Sequence, residues 1–303
     1  MQTDMDELIH VKLEGEIADL LIRVDPTYAS FLTYEGSKKV IYAELTKALY
    51  GTVQASYLFW KDVTQFLTKE LGFVVNPYDW CVANKDIDGK QCTIGWYVDD
   101  LKISHVKEGV IEDILRKLES RFGKEAPLTV TRGKVHIYLG MRIDYSAPGQ
   151  VAFTMFDFID EILAEAPDDL MKGVSSTPAS NHLFTTDRKA QEIPKDEAEL
   201  FHHLVAKLLY LSKRARPDLQ LAVSFLTTRV LSPDVDNQKK LGQCLRYRCD
   251  SRALPLTLKA DSATKIRWWI DASFAVHPDF CSHTGAAMML KTEQSTPNPR
   301  NKN

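Results

Sequence analysis

No apolar run in this 303-residue chain is long enough to cross a bilayer, and the polar, acidic start Met1–Glu7 is not a signal peptide. Cysteine is sparse. The five present, Cys81, Cys92, Cys244, Cys249 and Cys281, are scattered and odd in number, without the spacing of a metal site or a disulfide framework. They read as reduced thiols of an intracellular protein rather than a secreted one. His136 and His202-His203 also lack metal-ligand spacing and stand beside no plausible nucleophile, so structural or surface roles are assigned to them. No internal repeat runs through the chain. Net charge is nearly absent, −3 in all, and by itself names no partner.

What is present is an ordinary soluble composition, 44% apolar and 26% charged, over a length that suits about two or three domains. The charge is unevenly spread. Residues 203 to 252 hold ten Lys/Arg against four Asp/Glu, whereas the first 34 residues hold two against seven. A basic segment in an otherwise acidic chain is a footprint that a polyanion can use, and a solvated helical surface would look the same.

Leu8–Ile22 mixes alternation with a glycine and reads as strand or irregular structure; Val40–Leu45 reads as a short strand. From Gln54, apolar Phe59, Val63, Phe66, Leu67 and Leu71 step at helical spacing until Gly72 closes the pattern. Asn76–Asp79 is a turn ahead of a strand around Cys81–Asn84. Asp88-Gly89 is a strong hairpin signal. It leads into a strand Gln91–Val98, a tip Asp99-Asp100 and a returning strand Leu101–His105. The apolar spacing from Val110 to Phe122 predicts an amphipathic helix. Val135–Tyr145 and Val151–Met155 flank Pro148-Gly149 as a second hairpin, and another helix begins near Phe158. Asp168 to about Pro194 is loop-rich and is the main linker candidate. From Lys195 to about Leu245 the pattern is helical. Strands return at Leu254–Lys259, Lys265–Asp271 and Gly285–Leu290, and the tail 291–303 is expected to be disordered. Helices with one apolar stripe need a sheet face to cover, and an α+β arrangement supplies it.

In Cys92–Ser104, "CTIGWYVDDLKIS", two carboxylates stand side by side between two apolar strands. Adjacent like charges repel and are costly to bury unless something positive joins them. On extended backbone they point to opposite faces, so at most one faces a given site squarely. One carboxylate at a strand end, joined by another from a neighbouring strand, is the usual protein share of a Mg²⁺ site that leaves positions for water and phosphate. Two such ions can polarise an attacking hydroxyl and stabilise a leaving pyrophosphate. Asp-Asp alone also occurs in ordinary turns. Its context here, an apolar strand, an aromatic ring and a second apolar strand, is far more specific.

Tyr97-Val98-Asp99-Asp100 resembles the Tyr-x-Asp-Asp hairpin of reverse transcriptases, and its surroundings resemble the Ty1/copia-type retrotransposon polyprotein. Other motifs follow in that family's order. Lys47–Ala55 resembles its helix-opening motif beside the nucleotide pocket, and Tyr138–Met141 the start of its primer-gripping hairpin. Leu209–Leu211, Arg216–Asp218 and Leu245–Tyr247 resemble its helical connection. Trp269–Ser273 and Ser282–Gly285 resemble the first two strands of the ribonuclease H domain that follows. The resemblance implies an RNA-directed DNA polymerase working on an RNA template, a DNA primer and dNTPs with two Mg²⁺ ions. Its setting would be the cytoplasm (in a virus-like particle) or the nucleus, away from any membrane. By position, Asp99 would bind metal, with Asp100 less directly engaged. Tyr97 would lie near the primer terminus or minor groove, and Gly51 and Gln54 beside the incoming nucleotide. Gly51 also fits an ordinary turn before a helix, and Gln54 an ordinary first-turn residue. Arg216, Arg246 and Arg248 suit phosphate contacts, because guanidinium forks match phosphate oxygens; plain helix-surface charges would read alike.

The resemblance also implies a division. Residues 1–165 would be a partial reverse-transcriptase palm, an antiparallel sheet with helices that holds both hairpins. Residues 166–194 would be a linker and 195–252 a basic helical thumb or connection. Residues 253–290 would be an incomplete ribonuclease H-like stub with Asp271 its surviving carboxylate, and 291–303 the tail. The family carries a further palm aspartate in an Asp-x-x-x-Ala-Phe motif just ahead of a segment like Met1–Glu7, and this sequence begins after that point. Asp4 and Asp6 follow the catalytic strand in that pattern. Ser56 stands where many relatives have proline, and Glu293 is a poor substitute for the other ribonuclease H carboxylates. The expectation is a truncated, inactive polymerase. The alternatives are a non-catalytic remnant that binds RNA or RNA–DNA hybrid through its basic helices, and a metal-dependent nucleotidyl transferase of another palm-fold family.

Overall fold

The computed structural model describes residues 8–47, 49, 51–124, 126–187, 189–260, 264–277 and 280–290, the side chains of 248–250 excepted. Asp4, Asp6, Ala48 and Tyr50 of the helix-opening motif, the Arg248 side chain and the 291–303 tail with Glu293 lie outside these. The chain divides into two units, Met1–Val130 and Thr131–Asn303.

The first unit opens with strand β1 (His10–Glu14), helix α1 (Glu16–Val24), β2 (Thr33–Glu35) and β3 (Lys38–Glu44), the strands forming an antiparallel sheet in the order β1-β3-β2. Leu8–Ile22, expected to be strand or irregular structure, is strand only from His10 to Glu14 and is helical from Glu16 onward. Gly15, at φ 57°, turns the chain into α1, so the glycine that interrupts the alternation marks a change of element. Helix α2 (Val53–Gln65) begins one residue before its expected start. It runs on through a π-turn, Phe66–Glu70, in which the Leu71 N–H donates to Phe66 O at 3.2 Å. A second antiparallel sheet then forms in chain order from β4 (Val74–Val75), β5 (Val82–Ile87), β6 (Lys90–Tyr97) and β7 (Asp100–Ser104), followed by helix α3 (Glu108–Phe122). Alternation along β6 sends Cys92, Ile94 and Trp96 to one face. There they are buried against Phe59, Val63, Phe66 and Leu67 from α2 and its extension, and Ile114 and Leu118 from α3. Each large side chain so buried contributes roughly 1.5–3 kcal/mol. With one face taken by helices, the other is left to present polar groups.

In the second unit, β8 (Val135–Tyr138), β9 (Met141–Asp144) and β10 (Gln150–Thr154) form a meander, because Leu139-Gly140 folds the expected single strand 135–145 back on itself. Helices α4 (Phe156–Glu165), α5 (Asp168–Met171), α6 (Lys195–Arg214), α7 (Gln220–Thr227) and α8 (Val235–Asp250) enclose a core that includes Phe201, Leu208, Phe225 and Leu245. The expected linker 166–194 belongs to this body. Leu170, Leu183 and Ile193 are buried in its core, and the Ile193 N–H donates to Pro233 O at 3.2 Å. Strand β11 (Leu256–Lys259), grouped by resemblance with the ribonuclease H-like strands, instead pairs with β10. Strands β12 (Ile266–Ser273) and β13 (His283–Leu290) form a two-stranded antiparallel ribbon. The result is a mixed α+β chain with antiparallel sheets, and the unit boundary at Val130 separates the two hairpins that the 1–165 assignment had joined. Among the described residues no helix is long and apolar enough to cross a membrane.

Candidate active site

Tyr97 pairs with Asp100, so β6 and β7 are joined by a two-residue turn, Val98-Asp99, and Asp100 is the first residue of β7. The expected Asp99-Asp100 tip shifts by one residue. Val98 has φ 51°. A two-residue hairpin asks for positive φ at its first turn position, but a β-branched residue adopts it only under strain, of order 1–3 kcal/mol. Such strain persists only where the surroundings impose it. Here the buried Trp96 and Ile94, paired with the partly buried Leu101 and Ile103, fix the register on either side of the turn.

Paired residues share a face of the sheet. Tyr97, Gly95 and Thr93 therefore look the same way as Asp100, Lys102 and Ser104, away from α2 and α3. Asp99 and Asp100 are exposed, and Tyr97 is 58% exposed. Two carboxylates and a phenol thus stand at the end of a sheet whose opposite face is solidly packed. Further along the open face, Asn84 Oδ1 accepts from Gln91 Nε2 at 3.0 Å and from Thr93 Oγ1 at 2.8 Å.

Gly51 and Gln54 lie where α2 starts. Gly51 has φ 89° with open space around it, so backbone conformation, not crowding, requires the glycine. Thr52 was not singled out from the sequence, yet it caps the helix, its Oγ1 accepting from the Ala55 N–H at 3.2 Å. A threonine directly before a helical apolar pattern was the available signal.

The arginines assigned to phosphate are another matter. Arg216 is 2% exposed. Its Nε and Nη2 donate to the two Asp218 carboxylate oxygens at 2.8 and 2.5 Å, while Nη1 and Nη2 reach Ser251 O and Oγ at 2.9 and 2.8 Å. Buried with its fork occupied, Arg216 is a structural residue, which corrects the phosphate assignment. Arg246 is half-buried, and its Nη1 donates to Leu170 O in α5 at 2.7 Å. It ties α8 to α5. On β12, Asp271 is exposed and its Oδ1 accepts from the Ala272 N–H at 3.0 Å.

Among the described residues no group of three or more His, Cys, Asp or Glu side chains is placed to hold a metal ion. Asp99 and Asp100 thus have no third ligand there, and two neighbouring exposed carboxylates do not fit a Mg²⁺ pair, which takes ligands from separate strands.

Residues 5–175 match the family described as reverse transcriptase (RNA-dependent DNA polymerase). The chain is also similar to a putative transposon Ty5-1 protein of Saccharomyces cerevisiae, 24% identical over 250 residues that cover 82% of this chain and 77% of that protein. No solved structure matches.

Proposed function

This chain belongs to the Ty1/copia-type reverse transcriptase family, and we propose that its Tyr97–Asp100 hairpin is the carboxylate-bearing edge of an RNA-directed DNA polymerase. The observation that carries this reading is the register of β6 and β7. It sets Tyr97 beside Asp100 on the open face, with Asp99 in the turn, at the exposed end of a sheet backed by two helices. In this reading Asp99 and Asp100 supply the acidic groups, Tyr97 meets the primer terminus or minor groove, and Gly51 with Gln54 borders the incoming dNTP. An RNA template and a DNA primer are the macromolecular substrates. The β12–β13 ribbon with Asp271 is then the start of a ribonuclease H-like unit. The competing reading, binding of RNA through the basic helices without catalysis, loses support because Arg216 and Arg246 bond within the protein.

Positioning and charge stabilisation are most of what a protein contributes to phosphoryl transfer. Asp99 and Asp100 supply part of an acidic set whose further ligand is not among the described residues. The test is primer extension on an RNA template in Mg²⁺ or Mn²⁺. It compares this chain with a version lengthened at its N-terminus by a strand bearing the Asp-x-x-x-Ala-Phe motif. Extension by the longer version, abolished by Asp99→Asn, is the expected result. Robust extension by the 303 residues alone would mean that Asp4 or Asp6 completes the site.

A further inference from the structure

The turn ahead of β5 and the outer side of α2 carry aromatic rings that the core does not take up. Tyr57 is 50% exposed, Trp80 67% and Tyr78 97%. Tyr57 and Trp60 have centroids 6.1 Å apart with planes 25° from parallel; Trp60 and Trp80 follow at 6.3 Å and 31°. Tyr57 stacks on Trp60 and Trp80 is tilted against it, so the half-buried Trp60, packed against the core, joins two exposed rings into one row. They are held there. The Trp60 indole N–H donates to the Trp80 carbonyl at 3.0 Å. The turn carrying Trp80 is pinned by Asn76 N–H to Val82 O at 2.8 Å and by Asp79 Oδ1, which accepts from the Cys81 N–H at 2.9 Å.

The position is informative. Val82 pairs with Gly95, and the Trp96 N–H donates to Cys81 O at 2.9 Å, so Trp80 lies at the end of the sheet that carries the Tyr97–Asp100 turn. Helix α2, which carries Tyr57 and Trp60, begins beside Gly51 and Gln54. The Lys61 ammonium lies over the Tyr57 ring, 6.0 Å from its centroid, and brings positive charge to the row. Exposed flat apolar faces with a cation alongside suit a ligand that is itself flat, apolar on its faces and anionic along its spine. Unpaired nucleotides have that chemistry, whereas a duplex hides its base faces.

We propose that Tyr57, Trp60 and Trp80 form a stacking platform for the unpaired bases of single-stranded nucleic acid beside the Asp99-bearing turn. The choice of nucleic acid as occupant rests on the polymerase reading above. Trp80→Ala removes a ring but keeps the backbone carbonyl that receives the Trp60 N–H, and Tyr57→Ala removes the other end of the row. Binding of labelled oligo(U) and of a blunt RNA–DNA duplex, followed by fluorescence anisotropy, tests the platform. Each alanine variant should weaken oligo(U) binding roughly tenfold while leaving duplex binding unchanged, and Trp80→Phe should retain most of the affinity. Alanine variants that bind oligo(U) as tightly as the parent, or that lose oligo(U) and duplex binding equally, would overturn it. So would loss of a dimer, rather than of oligo(U) affinity, in Trp80→Ala, which would assign the rings to self-association. A parent that binds duplex but not oligo(U) removes the platform alone; one that binds neither removes the polymerase reading with it.

Discussion

A guanidinium at the head of a short helical turn can face water or fold back on its own chain, and Arg216 folds back. It spans Asp218 two residues on and Ser251 at the end of α8, and its guanidinium lies 5.6 Å from the Tyr247 ring centroid. The Tyr247 hydroxyl donates to the same Asp218 carboxylate at 2.8 Å. Burial pushes the Asp218 carboxyl up, but the Arg216 hydrogen bonds and charge, with the Tyr247 bond, outweigh it and hold the carboxyl below its ordinary value of 3.8. A depressed carboxylate stabilises the fold above its unfolded pKa and loses that contribution as pH falls through the folded one. Stability from this network should therefore be complete above about pH 4 and decline below it. Arg216→Ala should cost about 2–3 kcal/mol, since hydrogen bonds to charged groups are lost together, and Arg216→Lys should not restore it because lysine has no planar fork. Urea denaturation reads both. A midpoint unmoved by Arg216→Ala would return this residue to the surface role inferred from its sequence motif, where charge type was legible and burial was not.

Hairpins show the same division between what local sequence states and what tertiary contact imposes. Asp88-Gly89, with φ 55° and 70°, is a two-residue turn that its residue types announce. Val98-Asp99 and Leu139-Gly140 are turns of the same length, yet valine and leucine disfavour the positive φ of 51° that each adopts. The Tyr-x-Asp-Asp pattern made the first of these legible to within one residue. At the second, the reading ran a single strand through the turn. The missing information lies in α6: the Tyr210 hydroxyl donates to Leu139 O at 3.1 Å, and its ring meets Arg214, 3.6 Å from the centroid, and Phe158 at 5.3 Å. Leu139→Asn should accordingly relieve the turn and stabilise the protein by about 1 kcal/mol, since asparagine accepts this conformation readily. A higher thermal midpoint is the expected outcome. An unchanged or lower one would show that the leucine side chain contributes more by packing than its backbone loses in strain.

At the scale of the whole molecule, charge counted along the chain differs from charge available to a ligand. The basic stretch 203–252 reads as a polyanion footprint, but much of it is satisfied internally. Lys207 pairs with Glu161 at 2.5 Å and Glu165 at 2.8 Å, Lys240 with Asp236 at 2.8 Å, and Arg252 with Asp160. Arg214 and Arg229 lie over the rings of Tyr210 and Phe225. Partners as distant in sequence as Asp160 and Arg252 cannot be matched by counting residues, so the sign of the segment was legible and its neutralisation was not. Among its described cations, Lys213, Lys239 and Arg252 are exposed, and Arg252 is already paired with Asp160. Each phosphate contact made by a freely available cation adds about −0.9 to the slope of log affinity against log salt on a B-form duplex, so two such lysines would give a slope near −2. Binding of an RNA–DNA hybrid at graded salt should therefore be weak and only gently salt-dependent. Replacing Lys213 and Lys239 together by alanine should flatten the slope, while Arg246→Ala should lower thermal stability and leave the slope in place. A slope steeper than about −5 in the parent would require the paired cations to leave their carboxylates for phosphate, and would restore the helical segment as a nucleic-acid surface.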